Sequence, residues 1–199
     1  MGEEFDPLRR IGAMNRRDAL ALMHAHVASE SLRRHMLGVE ACMKAYARAL
    51  GEDEEAWGVV GLLHDFDYEL HPNDHPLWGV RLLKERQADP VLIQAIASHY
   101  EAKTGIAPTT PMEKHLFACD ELSGFITACV YVRPSRSILD LESKSVIKKL
   151  KTPSFAAGVS RDDVTKGAEL IGKPLADHID FCIGALKGEA SVLGLIGEG

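Results

Sequence analysis

The chain of 199 residues is 46% hydrophobic and 26% charged, which is an ordinary composition for a soluble globular protein. A formal net charge of −6 argues against stable nucleic-acid binding, because proteins that bind nucleic acids usually present a basic face to the phosphates. No apolar stretch is long enough to cross a bilayer, and the first residues lack the pattern of a signal peptide. We therefore expect a cytoplasmic protein without a membrane partner.

The predicted secondary structure is helical almost throughout, and no segment alternates as a β-strand does. A first helix is predicted over residues 16–27 and a second over residues 31–50, where Gly51 ends it. Asp53 is the predicted N-cap of a third helix, and a polar loop over residues 67–74 follows that helix.

Proline and capping residues predict where the later helices begin. Proline is favoured in the first turn of a helix, and a Ser or Thr three residues before an acidic residue has the spacing of a capping box. The predicted starts are His75-Pro76, Asp89-Pro90, Thr110-Pro111, Ser160 and Pro174. Loops between them are short and no linker divides the chain, so we expect one all-α domain over residues 1–199. Its expected parts are a metal-ligand core over 31–131, C-terminal helices over 137–188 and a frayed tail over 189–199.

The four cysteines are widely spaced and form no Cys-x-x-Cys pair. Each lies among apolar residues of a predicted helix, where a free cysteine usually behaves as a small hydrophobic residue. We therefore expect neither a disulfide framework nor a zinc ribbon. The four are Cys42, Cys119, Cys129 and Cys182.

The doublet His64-Asp65 ends an apolar helical run that should be buried. Buried imidazole and carboxylate groups need partners, and a divalent cation is among the best available. His35 lies on the apolar stripe of the preceding helix, and Asp120 lies on an apolar face of a later one. These four residues predict a first metal site with mixed imidazole and carboxylate ligands.

Two later histidines predict a second metal site next to the first. His75 is at a predicted helix start, and His99 ends an apolar helical segment. Together with a bridging Asp65 they would hold a second ion, and paired metal ions suit phosphoryl transfer. The residues do not select the metal, so Fe, Mn, Mg, Ni, Zn and Co all stay open, as do one or two ions.

A basic stretch follows the helix of Asp120. Arg133 is its first member, and Lys148 shares a predicted helix face with Lys144. A solvated surface is one interpretation of such a run. The other is a clamp at the mouth of the metal pocket for the phosphate of a small molecule or nucleotide, with Arg133 and Lys148 as the substrate-binding residues.

The ordered ligands resemble those of the HD superfamily of metal-dependent phosphohydrolases. The residues that carry the resemblance are His35, His64, Asp65 and Asp120. His75 and His99 are similar to the additional histidines of two-metal members, including HDIG-type proteins. The segments 132–135 and 155–161 are similar to a small bacterial HD subfamily of undefined substrate.

The resemblance implies an all-α bundle with a central metal pocket and hydrolysis of a phosphate ester or anhydride. In that mechanism Asp65 bridges two ions, and a hydroxide activated by both attacks phosphorus. Asp67 or Glu69 would protonate the leaving oxygen or orient the water, and the sequence does not choose between them.

Two departures and two alternatives bear on this interpretation. HD enzymes that act on guanosine tetraphosphate have Glu-Asp shortly after the doublet, and HDIG-type proteins have Ile-Gly directly after it. Here Phe66-Asp67 follows, so hydrolysis of guanosine tetraphosphate is not expected and the assignment to a subfamily stays open. The same ligand order occurs in HD-fold di-iron oxygenases, and a non-catalytic nucleotide sensor is the third hypothesis. The basic stretch favours the hydrolase.

Overall fold

The computed structural model describes residues 14–197, and these residues confirm the all-α fold. The first thirteen and last two residues, which the predicted domain includes, lie outside the described part. One isolated bridge between Ser137 and Ile196 is the only β pairing among the described residues. The helices are α1 (Arg16–His26), α2 (Glu30–Leu50), α3 (Glu54–Leu63), α4 (Leu77–Glu85), α5 (Pro90–Ser98), α6 (Glu101–Thr104), α7 (Pro111–Tyr131), α8 (Ser143–Leu150), α9 (Arg161–Leu170) and α10 (Leu175–Gly188).

Capping side chains fix several helix ends where the sequence predicts them. The Asp53 carboxylate accepts the first backbone N–H groups of α3, and Thr110 and Glu113 form a complete capping box at the start of α7. Gly51 ends α2 with a φ of 73°, a left-handed conformation in which glycine carries no steric penalty. None of the described helices is both long and apolar enough to span a membrane.

The helices that carry predicted ligands pack against one another in the core. Helix α2 lies against both α3 and α7, and α5 contacts α3 and α7. Gly61 allows α3 to approach α2 closely, because a Cβ at this position would lie 3.0 Å from the Glu40 backbone. This close approach brings the end of α3, where His64 lies, next to His35 on α2.

The segment after α10 differs from the frayed tail that the glycine-rich sequence predicts. Leu193 and Leu195 are 2% and 1% exposed, and the Ile138 N–H donates to the Leu195 carbonyl at 2.8 Å. Gly194 has a φ of 68°, so the glycine permits a tight turn that returns the chain to the core. The prediction is wrong for the described part of this segment, since two leucines give it an apolar anchor.

A candidate metal centre

Two groups of imidazole and carboxylate side chains meet between the helices. Within each group, the donor atoms all lie within 4.8 Å of one another. The first group is His35, His64 and Asp120, and the second is Asp65, His75 and His99. The six residues that the sequence predicts as metal ligands are therefore brought together, in the two sets of three.

In the first group, His35 Nε2 lies 3.2 Å from His64 Nε2 and 3.1 Å from Asp120 Oδ1. His64 Nε2 lies 3.4 Å from the same Asp120 oxygen. Two donors that bind one ion at about 2.1 Å lie roughly 3.0 Å apart in octahedral and 3.4 Å apart in tetrahedral coordination. The donor separations therefore fit a divalent transition metal.

The second group has similar dimensions. His75 Nε2 lies 3.2 Å from His99 Nε2, and Asp65 Oδ1 lies 3.3 and 3.6 Å from these two nitrogens. The other Asp65 oxygen faces the first group, with Oδ2 at 3.5 Å from His64 Nε2 and 3.7 Å from His35 Nε2. One carboxylate thus presents one oxygen to each group.

The same local arrangement orients two of the histidines. His64 and His99 are the C-cap residues of α3 and α5, where the last backbone carbonyls lack helical partners. His64 Nδ1 donates to the Gly61 carbonyl at 2.8 Å, and His99 Nδ1 donates to the Ile96 carbonyl at 2.6 Å. Because a carbonyl holds Nδ1 in each ring, Nε2 is the nitrogen that faces the donor group and would give up any proton on binding a metal.

A carboxylate orients a third histidine. The His75 Nδ1–H donates to Asp67 Oδ1 at 2.7 Å, and the Gly79 backbone N–H donates to Asp67 Oδ2 at 2.8 Å. Asp67 is 1% exposed, so both of its oxygens are engaged in the interior. Carboxylates that accept from a metal-binding histidine fix its ring and increase its basicity.

The charges of the site favour a bound cation. Burial opposes the charged form of His64, yet Asp65 and Asp120 outweigh it and raise the pKa of His64 well above its usual value. Burial likewise opposes charge on Asp120, but His64 and His35 keep the pKa of Asp120 low. The two carboxylates therefore stay ionised in the interior, where a divalent cation would neutralise them.

A cavity of about 550 Å³ opens over both groups. Its volume lies within the usual range of small-molecule sites. The wall includes five of the six donor-group residues, three aromatic rings, two further acidic side chains and a short loop. The lining residues are His35, Asp65, Tyr68, His75, His99, Tyr100, Phe117, Asp120, Glu121, Gly124, Gly158, Val159, Ser160 and Asp163.

Sequence reasoning missed the wall of this cavity. Tyr100 directly follows His99 in the sequence, and Glu121 directly follows Asp120. Their position next to a predicted ligand could have identified both as residues of the cavity wall. Burial and the nearby charge of Asp120 raise the pKa of Glu121 to about 7. Ser160 and Asp163 begin α9, and nothing in the local sequence relates that helix start to the ligands.

One arginine organises the loop that forms part of the wall. Arg161 Nη1 donates to the carbonyls of Ala156 and Val159, both at 2.7 Å, and Nη2 donates to the carbonyls of Thr152 and Phe155. The guanidinium therefore holds the segment between α8 and α9 in one conformation. Gly158, Val159 and Ser160, which line the cavity, belong to this segment.

The other predicted site residues do not reach the cavity. Asp67 contacts His75 and does not face the cavity, and exposed Glu69 accepts from the backbone N–H groups of Ala28 and Ser29, just before α2, at 3.1 and 2.9 Å. Arg133 pairs with Asp140 at 2.9 Å, and Lys148 is an exposed residue of α8. In the described chain, no Lys or Arg lines this cavity.

Comparison with known proteins gives one match. Residues 32–124 match the family model of the HD domain. This range contains all six residues of the two donor groups. No curated protein and no solved structure matches the chain.

Proposed function

We propose that this chain, whose residues 32–124 match the HD domain, is a metal-dependent phosphohydrolase of the HD superfamily that cleaves a phosphate ester or anhydride of a small molecule or nucleotide. HD domains bind divalent metals and form a superfamily of metal-dependent hydrolases. The observation that carries the proposal is the Asp65 carboxylate, which faces one donor group with each oxygen.

The residues present fit two divalent ions. His35, His64 and Asp120 would hold one ion, His75 and His99 would hold the other, and Asp65 would bind both. Nitrogen and oxygen donors of this kind suit Fe, Mn, Co, Ni or Zn better than Ca. Bound ions would supply Lewis acidity toward a phosphoryl oxygen and lower the pKa of water.

The chain's own residues would bind the remainder of the substrate and carry a proton. Tyr68, Tyr100 and Phe117 offer rings on which a nucleobase or another flat group could stack. Among the described residues, two carboxyl groups line the cavity without belonging to a donor group. They are Glu121 and Asp163. We assign proton transfer to the leaving oxygen to one of these two.

The substrate's negative charge would be balanced by the metal ions, because the described wall supplies no Lys or Arg. This differs from the clamp of Arg133 and Lys148 that the sequence predicts. The absence of Lys and Arg from the described wall also supports a second candidate function, an HD-fold di-iron oxygenase that acts on a substrate of lower negative charge.

The test is metal analysis followed by turnover. Protein purified without chelator should hold about two equivalents of metal at the cavity, and it should hydrolyse a member of a panel of phosphomonoesters, nucleotides and dinucleotides with Mn²⁺. Asp65→Asn should abolish this activity, whereas Asp89→Asn, at the exposed N-cap of α5, should leave it unchanged.

Two results would contradict the proposal. One is metal-loaded protein that hydrolyses no member of the panel. The other is substrate-dependent oxygen uptake together with a mixed-valent iron signal in electron paramagnetic resonance, which would favour the oxygenase.

A further inference from the structure

Three cysteines form a separate cluster of potential ligands in the helical core. The Sγ atoms of Cys42, Cys119 and Cys182 all lie within 4.8 Å of one another, and their side chains are 0% exposed. All three are free thiols. They come from α2, α7 and α10, so the packing of three helices brings them together and no local motif does.

Apolar packing alone is a weak explanation for this convergence. A thiol is a poor hydrogen-bond donor and a poor acceptor, so three thiols gain little from facing one another. Cys129 provides a comparison within the same core. It is also buried, at 3% exposure, yet it lies outside the cluster, so this core accommodates a cysteine without sulfur neighbours.

We propose that Cys42, Cys119 and Cys182 bind a structural Zn²⁺ ion at a site distinct from the cavity. Three cysteines and one histidine are an established ligand set of structural zinc sites. Thiolates select a softer ion than the imidazole and carboxylate groups of the cavity do, so the two places differ in metal preference. Binding would release the thiol protons to solvent.

His178 is the candidate for the fourth ligand of this site. It lies one turn before Cys182 on α10, and its Nδ1 is 3.6 Å from Cys182 Sγ. Sulfur and nitrogen ligands on one edge of a tetrahedral zinc site lie about 3.6 Å apart, given metal distances of roughly 2.3 and 2.1 Å.

The hydrogen bonds of His178 leave Nδ1, the nitrogen that faces Cys182, without a proton. Its Nε2–H donates to the Ala118 carbonyl at 2.9 Å, so Nδ1 has the lone pair. The Tyr46 hydroxyl donates to this Nδ1 at 2.7 Å. Ligation by His178 would replace the bond from Tyr46, whereas ligation by water would preserve it.

The consequence of such an ion would be structural. It would connect α10 to α2 and α7, the helices that carry His35 and Asp120. A fully buried site of this kind is filled as the chain folds, because its ligands come together only in the folded state.

Cobalt substitution tests the proposal on the full chain, produced in cells supplied with Co²⁺ in place of zinc so that the buried site takes up cobalt as the chain folds. Co²⁺ bound to thiolates gives an intense sulfur-to-metal charge-transfer absorption in the near ultraviolet, which the nitrogen and oxygen donors of the cavity do not give. We expect its intensity to correspond to one thiolate-bound Co²⁺ per chain. It should disappear in Cys182→Ser, whose altered residue lies on a helix without cavity ligands, and persist in Cys129→Ser. The zinc content of Cys182→Ser should be one equivalent lower than that of Cys129→Ser.

The proposal is overturned if the unaltered protein, produced with Co²⁺ in place of zinc, lacks the charge-transfer absorption. This measurement needs no variant, so it decides the question even where Cys182→Ser does not fold. Equal zinc content in folded Cys182→Ser and Cys129→Ser would overturn it as well. Neither result depends on phosphohydrolase activity, so the two proposals fail separately.

Discussion

Asp67 illustrates how a single residue changes role between sequence and structure. Its position two residues after the His-Asp doublet suggests a catalytic acid, but both of its oxygens accept hydrogen bonds, from His75 and from the Gly79 backbone. It is a positioning residue, which acts on the substrate only through the orientation of His75.

Replacing Asp67 with Asn should therefore weaken one metal site and spare the other. The neutral amide offers a single acceptor oxygen to two donors, and loss of such a partner typically lowers metal affinity by about 10–100-fold. Calorimetric titration with Mn²⁺ should show this loss in only one of two binding events. Asp89→Asn, at an exposed helix cap, is the matched control. Unchanged affinity in both events would contradict the positioning role.

The metal ligands could be predicted from sequence because each is a polar or charged residue in an apolar helical segment. Burying such a residue costs free energy unless it has a partner, and a metal ion is one of few suitable partners. The cavity wall could not be predicted in the same way. Ser160 is 40 residues after Asp120 and becomes its neighbour in the cavity only through the packing of α9 on α7. The cysteine cluster could not be predicted for the same reason, because its members are far apart in sequence and meet only through the packing of helices.

At the level of helices, the site depends on how closely neighbouring backbones approach. Helix α9 packs on α7, the helix of Asp120, and Gly167 lies at their contact. A Cβ at Gly167 would lie 2.7 Å from Ala118 Cα, closer than real Cβ contacts. Because the added Cβ meets a backbone atom, the strain can be relieved only by moving a helix.

Gly167→Ala should therefore destabilise the protein by about 1–3 kcal/mol, the usual cost of overpacking. Gly184 on α10 is the matched control, since a Cβ there meets nothing within 4 Å. Gly184→Ala should stabilise by about 0.5–1 kcal/mol, because alanine favours the helix. Urea unfolding measures both free energies. A Gly167→Ala variant as stable as Gly184→Ala would show that α7 and α9 are not in close contact.

At the scale of the whole molecule, the end of the described chain closes the core. Leu195 belongs to the same continuous apolar cluster as residues of the first helices. Its partner in the turn, Ile196, is 53% exposed. The two residues are adjacent and similar in size but differ in burial. Substituting each in turn therefore distinguishes a docked segment from a frayed one.

Leu195→Ala should lower the free energy of unfolding by about 2–5 kcal/mol, as expected when a buried leucine is truncated. Ile196→Ala should change it by no more than about 0.5 kcal/mol, since that side chain is largely in solvent. Chemical denaturation of the full chain gives both values. Two nearly neutral substitutions would mean that residues 190–197 are frayed after all.

The loop that Arg161 organises has a consequence for how this protein could diversify. All six donor residues lie between residues 35 and 120, whereas the loop wall comes from residues 158–160, beyond the matched domain. One side of the cavity is thus encoded outside the matched range, whereas the donor groups and the aromatic rings lie within it. Exchanging the segment between α8 and α9 should therefore reshape this side of the cavity and leave the two donor groups in place.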